Sequence, residues 1–221
     1  MSDPALQLRT LYNLDQRGRL VSTREPGEHR PPRFVLIRGP AACVWGIRDD
    51  VPDDIAGEVA ALAATEPDAP FEEQPLHAKR YMSLVGGRIE SGPTYEFPRD
   101  MTMPEGISLI EDPGSLDAEL ADLAPETDGR WPVYGVLDGD RAVSVCFCAR
   151  MSDKAAEAGV NTVEAYRGRG LAPRVVAAWG SAIHASGRVP LYSTSWRNSA
   201  SRSVAQKLGL RIYASDWNLA D

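Results

Sequence analysis

Cysteine is scarce in this chain: three occur, Cys43, Cys146 and Cys148. The last two stand at i and i+2 in the apolar run from Ala142 to Ala149, which reads as a strand. Side chains so spaced share a face but do not readily bond to one another. A structural zinc site needs further soft ligands at matching spacing, and the sequence offers none, so the three read as buried thiols and no metal is expected. Long apolar runs are missing too: nothing approaches the roughly 18 residues that cross a bilayer. The opening MSDPALQLRT lacks the apolar centre of a secretory signal. The expectation is a cytoplasmic protein with no membrane partner.

Charge of one sign is missing locally rather than globally. The net charge is −7 over 221 residues, which argues against wholesale binding to nucleic acid. From Asp100 to Asp128 there are nine carboxylates and no Lys or Arg. From Val160 to Arg211 seven Arg and one Lys face a single acid, Glu164. The acidic stretch suits either a wall that attracts a cation or a solvated face. With 43% apolar and 25% charged residues, the chain can bury a core without a covalent or metal staple.

Periodicity supplies the organisation. Residues 33–38 and 42–47 alternate as two strands around the turn signal Gly39-Pro40. A helix is expected next, with Asp50 or Asp53 as its cap, Pro52 in its first turn and Ile55, Val59, Leu62 and Ala63 on its apolar face. Residues 66–80, rich in Pro, Glu and Ala, look like a linker, and Gly86-Gly87 and Ser91-Gly92-Pro93 punctuate the stretch beyond it. These signals divide the chain into a region 1–100 and a domain 101–221. The second part should hold a strand at 107–110, a short helix at 115–123 begun by Ser115, a hairpin about Asp138-Gly139-Asp140 and an extended segment from 157 to 164. Leu171, Val175, Ala178, Trp179, Ala182 and Ile183 then recur at helical spacing up to Gly187, with Pro173 in the first turn. A strand at 189–194, a helix capped by Asn198 and a strand at 210–214 complete the pattern. The order predicts an α/β (α+β) fold, a mixed sheet flanked by helices.

A strand running into Tyr166-Arg167-Gly168-Arg169-Gly170-Leu171-Ala172 and then a helix is a phosphate-binding geometry, because glycines allow close approach and the helix N-terminus offers free N–H groups. A Walker P-loop requires Gly-Lys-Ser/Thr, but Leu171-Ala172 follows Gly170. The dinucleotide fingerprint requires a third glycine where Pro173 stands. The remaining pattern, Arg167-x-x-Gly170-x-Ala172, resembles the coenzyme A pyrophosphate loop of the GNAT superfamily of N-acetyltransferases. The segment from Asn198 to Leu210 is similar to a second block of that family, and the two are separated by one helix and one strand, as there. The resemblance covers about residues 105–218.

That resemblance implies a mostly antiparallel sheet and a reaction in which acetyl-CoA donates an acetyl group to the amine of a small molecule or peptide by direct attack, with no covalent enzyme intermediate. It places the coenzyme on Arg167, Gly168, Arg169, Gly170, Leu171 and Ala172, with Asn198 and Ser201 nearby. It also puts the pantetheine arm in a gap beside the strand holding Thr162 and Val163, whose free N–H polarises the thioester. Glu157, early on that strand, is the candidate base. The family's tyrosine acid falls at position 205, which is Ala205 here; Tyr192, Tyr213 or Ser201 are candidate replacements. The same departure admits a coenzyme-binding sensor with reduced turnover, and residues 1–100 admit an adaptor role. None of the histidines is assigned to catalysis, and homodimerisation is left open.

Overall fold

A computed structural model describes residues 3–27 and 29–221. In chain order the elements are α1 (Pro4–Leu11), β1 (Tyr12–Leu14), β2 (Leu20–Thr23), β3 (Phe34–Arg38), β4 (Cys43–Ile47), α2 (Asp53–Ala63), α3 (Ala78–Val85), β5 (Arg88–Glu96) and β6 (Ser108–Leu109). After 3₁₀ turns at Pro113–Ser115 and Ala118–Arg130 come β7 (Tyr134–Asp138), β8 (Arg141–Met151), β9 (Ala155–Thr162), α4 (Leu171–Ala185), β10 (Val189–Ser193), α5 (Ser199–Lys207) and β11 (Arg211–Ala220). Nine strands form one sheet in the order β4-β3-β11-β5-β10-β9-β8-β7-β6, with β1 and β2 a separate antiparallel pair. Neighbours in the large sheet are antiparallel except β9 and β10, which run parallel. This is the mixed, mostly antiparallel sheet flanked by helices that the sequence predicts.

Both faces of the sheet are covered. On one face α4 and α5 bury Cys146, Cys148, Tyr192 and Trp179, while α2 and α3 bury Phe34, Leu36, Trp217 and Leu219. On the other face α1 and the β1–β2 arm bury Val35, Ile37, Leu191 and Tyr213. Strand β3 is buried at every position because successive side chains feed opposite cores, which is why it is apolar from Phe34 to Ile37; Arg38 at its end is buried by donating to the Phe71 and Glu73 carbonyls. The paired thiols of β8 are free and buried, as expected.

Several local expectations need correction. The helix after β4 takes Pro52 as its cap residue with no side-chain cap bond; Asp50 instead pairs with Arg48 and Arg30, and Asp53 with Arg19. Arginine partners outcompete the helix end because an ion pair satisfies more of a carboxylate than one N–H does. The helix expected at 115–123 is a run of 3₁₀ turns entered through Asp112 and Asp117 side chains, and it contains Pro125, which cannot donate to a helix ladder. The supposed linker 66–80 already contains the start of α3. The segment Ser91-Gly92-Pro93 is not a break but the middle of β5; a Cβ at Gly92 would collide with the Thr194 carbonyl oxygen, so the glycine serves a close crossing. The division at residue 100 does not divide the sheet: β5 lies between β10 and β11, and β3 pairs with β11.

Candidate functional site

Strands β9 and β10 pair only from Val189↔Ala155 to Leu191↔Glu157. Beyond that point β9 continues along β8 as far as Thr162, whereas β10 stays with β5 through Ser193↔Thr94. The two parallel strands therefore part, leaving a wedge-shaped gap whose apex is Glu157. Of the two candidates, Thr162 and Val163, Val163 does not offer a free N–H to this gap: it donates to the Val143 carbonyl on β8 at 2.9 Å, and its side chain is buried. Alternation along a strand then turns the Thr162 N–H the other way, into the gap. The Thr162 carbonyl accepts Arg167 Nε at 3.1 Å, and its hydroxyl pairs with Ser144 at 2.8 Å.

At the open end of the gap the chain makes the glycine-rich turn into α4. Gly168 and Gly170 both hold left-handed backbone, with φ of 78° and 75°, a conformation that a β-carbon disfavours. Gly170 is the cap residue, and no side chain bonds the first turn of α4. The N–H groups of Leu171 and Ala172 thus open onto a concave cradle at the positive end of a 15-residue helix. The arginines are held by the same local structure: Arg169 lies over the Tyr166 ring at 4.7 Å and donates to the Ala165 carbonyl, and Arg174 donates to the Glu105 carbonyl at 2.7 Å. Glu164 is structural; its N–H donates to Glu119 Oε2 at 3.0 Å.

Glu157 is brought to the gap but is not open to solvent, being 3% exposed. Its Oε2 accepts Arg150 Nη1 at 2.9 Å, and its Oε1 accepts the Ser193 hydroxyl and Gln7 Nε2. Gln7 Oε1 in turn accepts the buried Tyr213 hydroxyl at 2.8 Å, and Arg150 also pairs with Glu25. Tyr192 lies on the next strand and the opposite face, so the structure does not join it to Glu157. Its hydroxyl pairs with Ser201 Oγ at 2.7 Å, and burial pushes its pKa up to about 12. Asn198 caps α5 by accepting the Ser201 N–H at 3.0 Å. Ala205 is fully buried in the core beneath α5.

On the Glu157 face a cleft of about 1170 Å³ opens between the β1–β2 arm and the ends of β5, β10 and β11. Ser193, Arg150, Tyr12 and Asp216 line it, and Trp196, with Arg202 stacked at 5.6 Å from its ring centre, stands at one side. His29, given no role by the sequence, lines it as well. None of the acidic residues 100–128 lines it; those placed by hydrogen bonds serve turns, as Asp112 and Asp117 do, or brace the glycine-rich turn, as Glu119 does. Asp216 is held at a pKa of about 6, chiefly by burial and further by the Glu157 charge, against the lowering influence of Asn218 and Arg150. Sequence reading missed Ser193, Arg150 and Asp216. The one local signal for Asp216 is the alternation Asp216-Trp217-Asn218-Leu219, which continues β11 with its polar residues on the cleft face.

Residues 134–215 match the family model described as GNAT acetyltransferase. No curated protein matches the chain. Among solved structures, a GNAT-family protein from Novosphingobium aromaticivorans is 22% identical over 60% of this chain and 64% of its own, with a TM-score of 0.45; this chain thus spans just under two thirds of that protein. An acetyltransferase from the GNAT family of Colwellia psychrerythraea is 12% identical over 80% of this chain and 76% of its own, at 0.48. A GCN5-related N-acetyltransferase-like protein from Streptococcus suis is 17% identical over 86% and 84%, at 0.47.

Proposed function

We propose that residues 134–215, which match the family model described as GNAT acetyltransferase, work as such a domain and that the protein transfers an acetyl group from acetyl-CoA to a primary amine. The observation that carries the reading is the joining of two features: the parted edges of β9 and β10, and the uncapped, twin-glycine entry to α4 at the open end of the same gap. The residues fit the coenzyme. Free N–H groups at Leu171 and Ala172, left-handed glycines that leave the turn open, and Arg167 and Arg169 beside it form a cradle for a pyrophosphate. Acetyl-CoA bound there supplies an activated thioester.

The chain's own groups handle orientation and the proton. The Thr162 N–H, facing the gap, is placed to donate to an acyl carbonyl oxygen. An alkyl amine with a pKa near 10 is only about one part in a thousand neutral at pH 7, so a route for its proton is needed. Ser193 lines the cleft and donates to Glu157, so the hydroxyl relays the amine proton inward to the carboxylate. Arg150 and Gln7 hold that carboxylate in place. Tyr192, protonated at neutral pH, is the candidate donor for the departing thiolate.

A second reading, coenzyme binding without turnover, is favoured by one observation: position 205 is a buried alanine. Thiol release from acetyl-CoA across a panel of primary amines separates the two. Amine-dependent release supports the transferase; tight coenzyme binding by calorimetry with no release for any amine supports the sensor.

A further inference from the structure

We infer that the cleft on the Glu157 face binds a linear acceptor carrying a second cationic nitrogen, held by Asp216 and Asn218 about 12 Å from the amine that is acetylated; this rests on the transferase reading above. The first ground is a carboxylate in the cleft without an ion-pair partner. Arg150, on the cleft wall, is already shared by Glu157 and Glu25. Asp216 adds a third carboxylate, and among the described residues no cation pairs with it; its one hydrogen bond is from Asn218 Nδ2 at 2.9 Å. The rim arginines are not available to it: Arg30 pairs with Asp50, Arg88 with Glu90, Arg202 stacks on Trp196, and Arg197 stands in solvent.

The second ground is unmet hydrogen bonding. Asn218 Oδ1 is buried and has no donor, and Thr23 Oγ1, also lining the cleft, has no partner. Buried polar atoms without partners are uncommon, and their grouping about one cavity marks a ligand's place. Arg150 Nε, a donor, is also buried without a partner in this lining; the Asp216 carboxylate beside the vacant Asn218 amide oxygen is the acceptor part of the surface, and it selects a donor-rich, positive group such as an ammonium. No group of three or more potential metal ligands exists among the described residues, so the surface is not a metal cage.

Register sets the spacing. Asp216 lies opposite Gly92 on β5, and Ser193 lies opposite Thr94 on the far side of the same strand. Two strand spacings of about 4.8 Å and a two-residue offset of about 6.8 Å along β5 separate the carboxylate from the proton-relay hydroxyl, roughly 12 Å in all. A linear α,ω-diamine or polyamine of that reach satisfies both ends; a monoamine satisfies one.

Purified full-length chain is assayed with α,ω-diaminoalkanes of increasing length and with n-alkylamines of the same length. The expected result is a diamine preference in kcat/KM of at least ~10-fold at the matching length, and a fall of that ratio by ~10-fold in Asp216→Asn with the KM for acetyl-CoA unmoved. Equal use of diamine and monoamine by the wild type, or a ratio indifferent to Asp216→Asn, overturns the inference. Should no amine be acetylated, the transferase reading fails by itself, and calorimetry of the matching diamine decides the cleft. Binding weakened ~10-fold in Asp216→Asn sustains it, and equal or absent binding overturns it. Thermal melting of the variant, expected at or above that of the wild type, excludes misfolding as the cause.

Discussion

The glycine-rich turn and the cleft are built on opposite principles. The turn is a feature of backbone: seven consecutive residues, Tyr166 to Ala172, contain the left-handed glycines and the helix entry. The cleft is a feature of side chains drawn from Tyr12, Thr23, Arg150, Ser193 and Asp216, positions scattered across the whole chain. Backbone geometry is written locally, so a short motif suffices to specify it. Side-chain geometry here depends on which strands become neighbours, and the turn lies within the matched segment 134–215 whereas most of the cleft lies outside it.

If that contrast is sound, the sharpest break comes from Gly170→Val. A β-branched residue at φ 75° is strained and crowds the cradle, so acetyl-CoA affinity should fall by ~10²-fold or more in calorimetry while amine binding in the cleft persists. Parallel loss of both would merge the two sites into one. Next, Glu157→Gln removes the proton's destination and one of Arg150's partners, and kcat should fall by ~10²-fold with little change in the KM for acetyl-CoA. A drop in acetyl-CoA affinity instead would make Glu157 part of the coenzyme site.

A third test uses pH. Burial raises Asp216 to about 6 in the folded state, above an unfolded carboxylate near 3.9, so the folded chain holds that proton more tightly. The stabilisation is complete below the unfolded value and is lost as pH rises through about 6. Asp216→Asn removes this slope, and at pH 7 the variant should be more stable than the wild type by up to about 3 kcal/mol. Denaturant unfolding at pH 4 and pH 7 measures it; a variant less stable at both would make Asp216 a structural residue. The smallest effect on stability is expected for Tyr192→Phe, which severs the bond to Ser201 and should cost about 1 kcal/mol. A kcat reduced by under ~3-fold there would remove Tyr192 as the acid.

Much of the fold was legible because its signals are local. Helix α4 follows from the spacing of Leu171, Val175 and Ile183, the cap of α5 from Asn198, and the β7–β8 hairpin from Asp138-Gly139-Asp140. Where reading failed, a distant partner decided the outcome. Asp50 and Asp53 go to arginines rather than to a helix end, and Ser91-Gly92-Pro93 is a strand because a loop about a hundred residues later crosses it. Of the candidate site residues, the turn is legible by motif. Glu157 lies at the apex of the gap, but its hydrogen bond from Ser193 requires knowing that β10 lies beside β9. Asn198 and Ser201, expected beside the coenzyme, are engaged in capping α5 and in holding Tyr192.

The insertion of β5 between β10 and β11 has a consequence for synthesis on the ribosome. β3 and β5 emerge early, yet both pair with β11, and β5 also pairs with β10. Each must wait with a bare edge until residues 211–220 have been made, a long-range closure that slows folding and leaves strands open to mispairing in the interval.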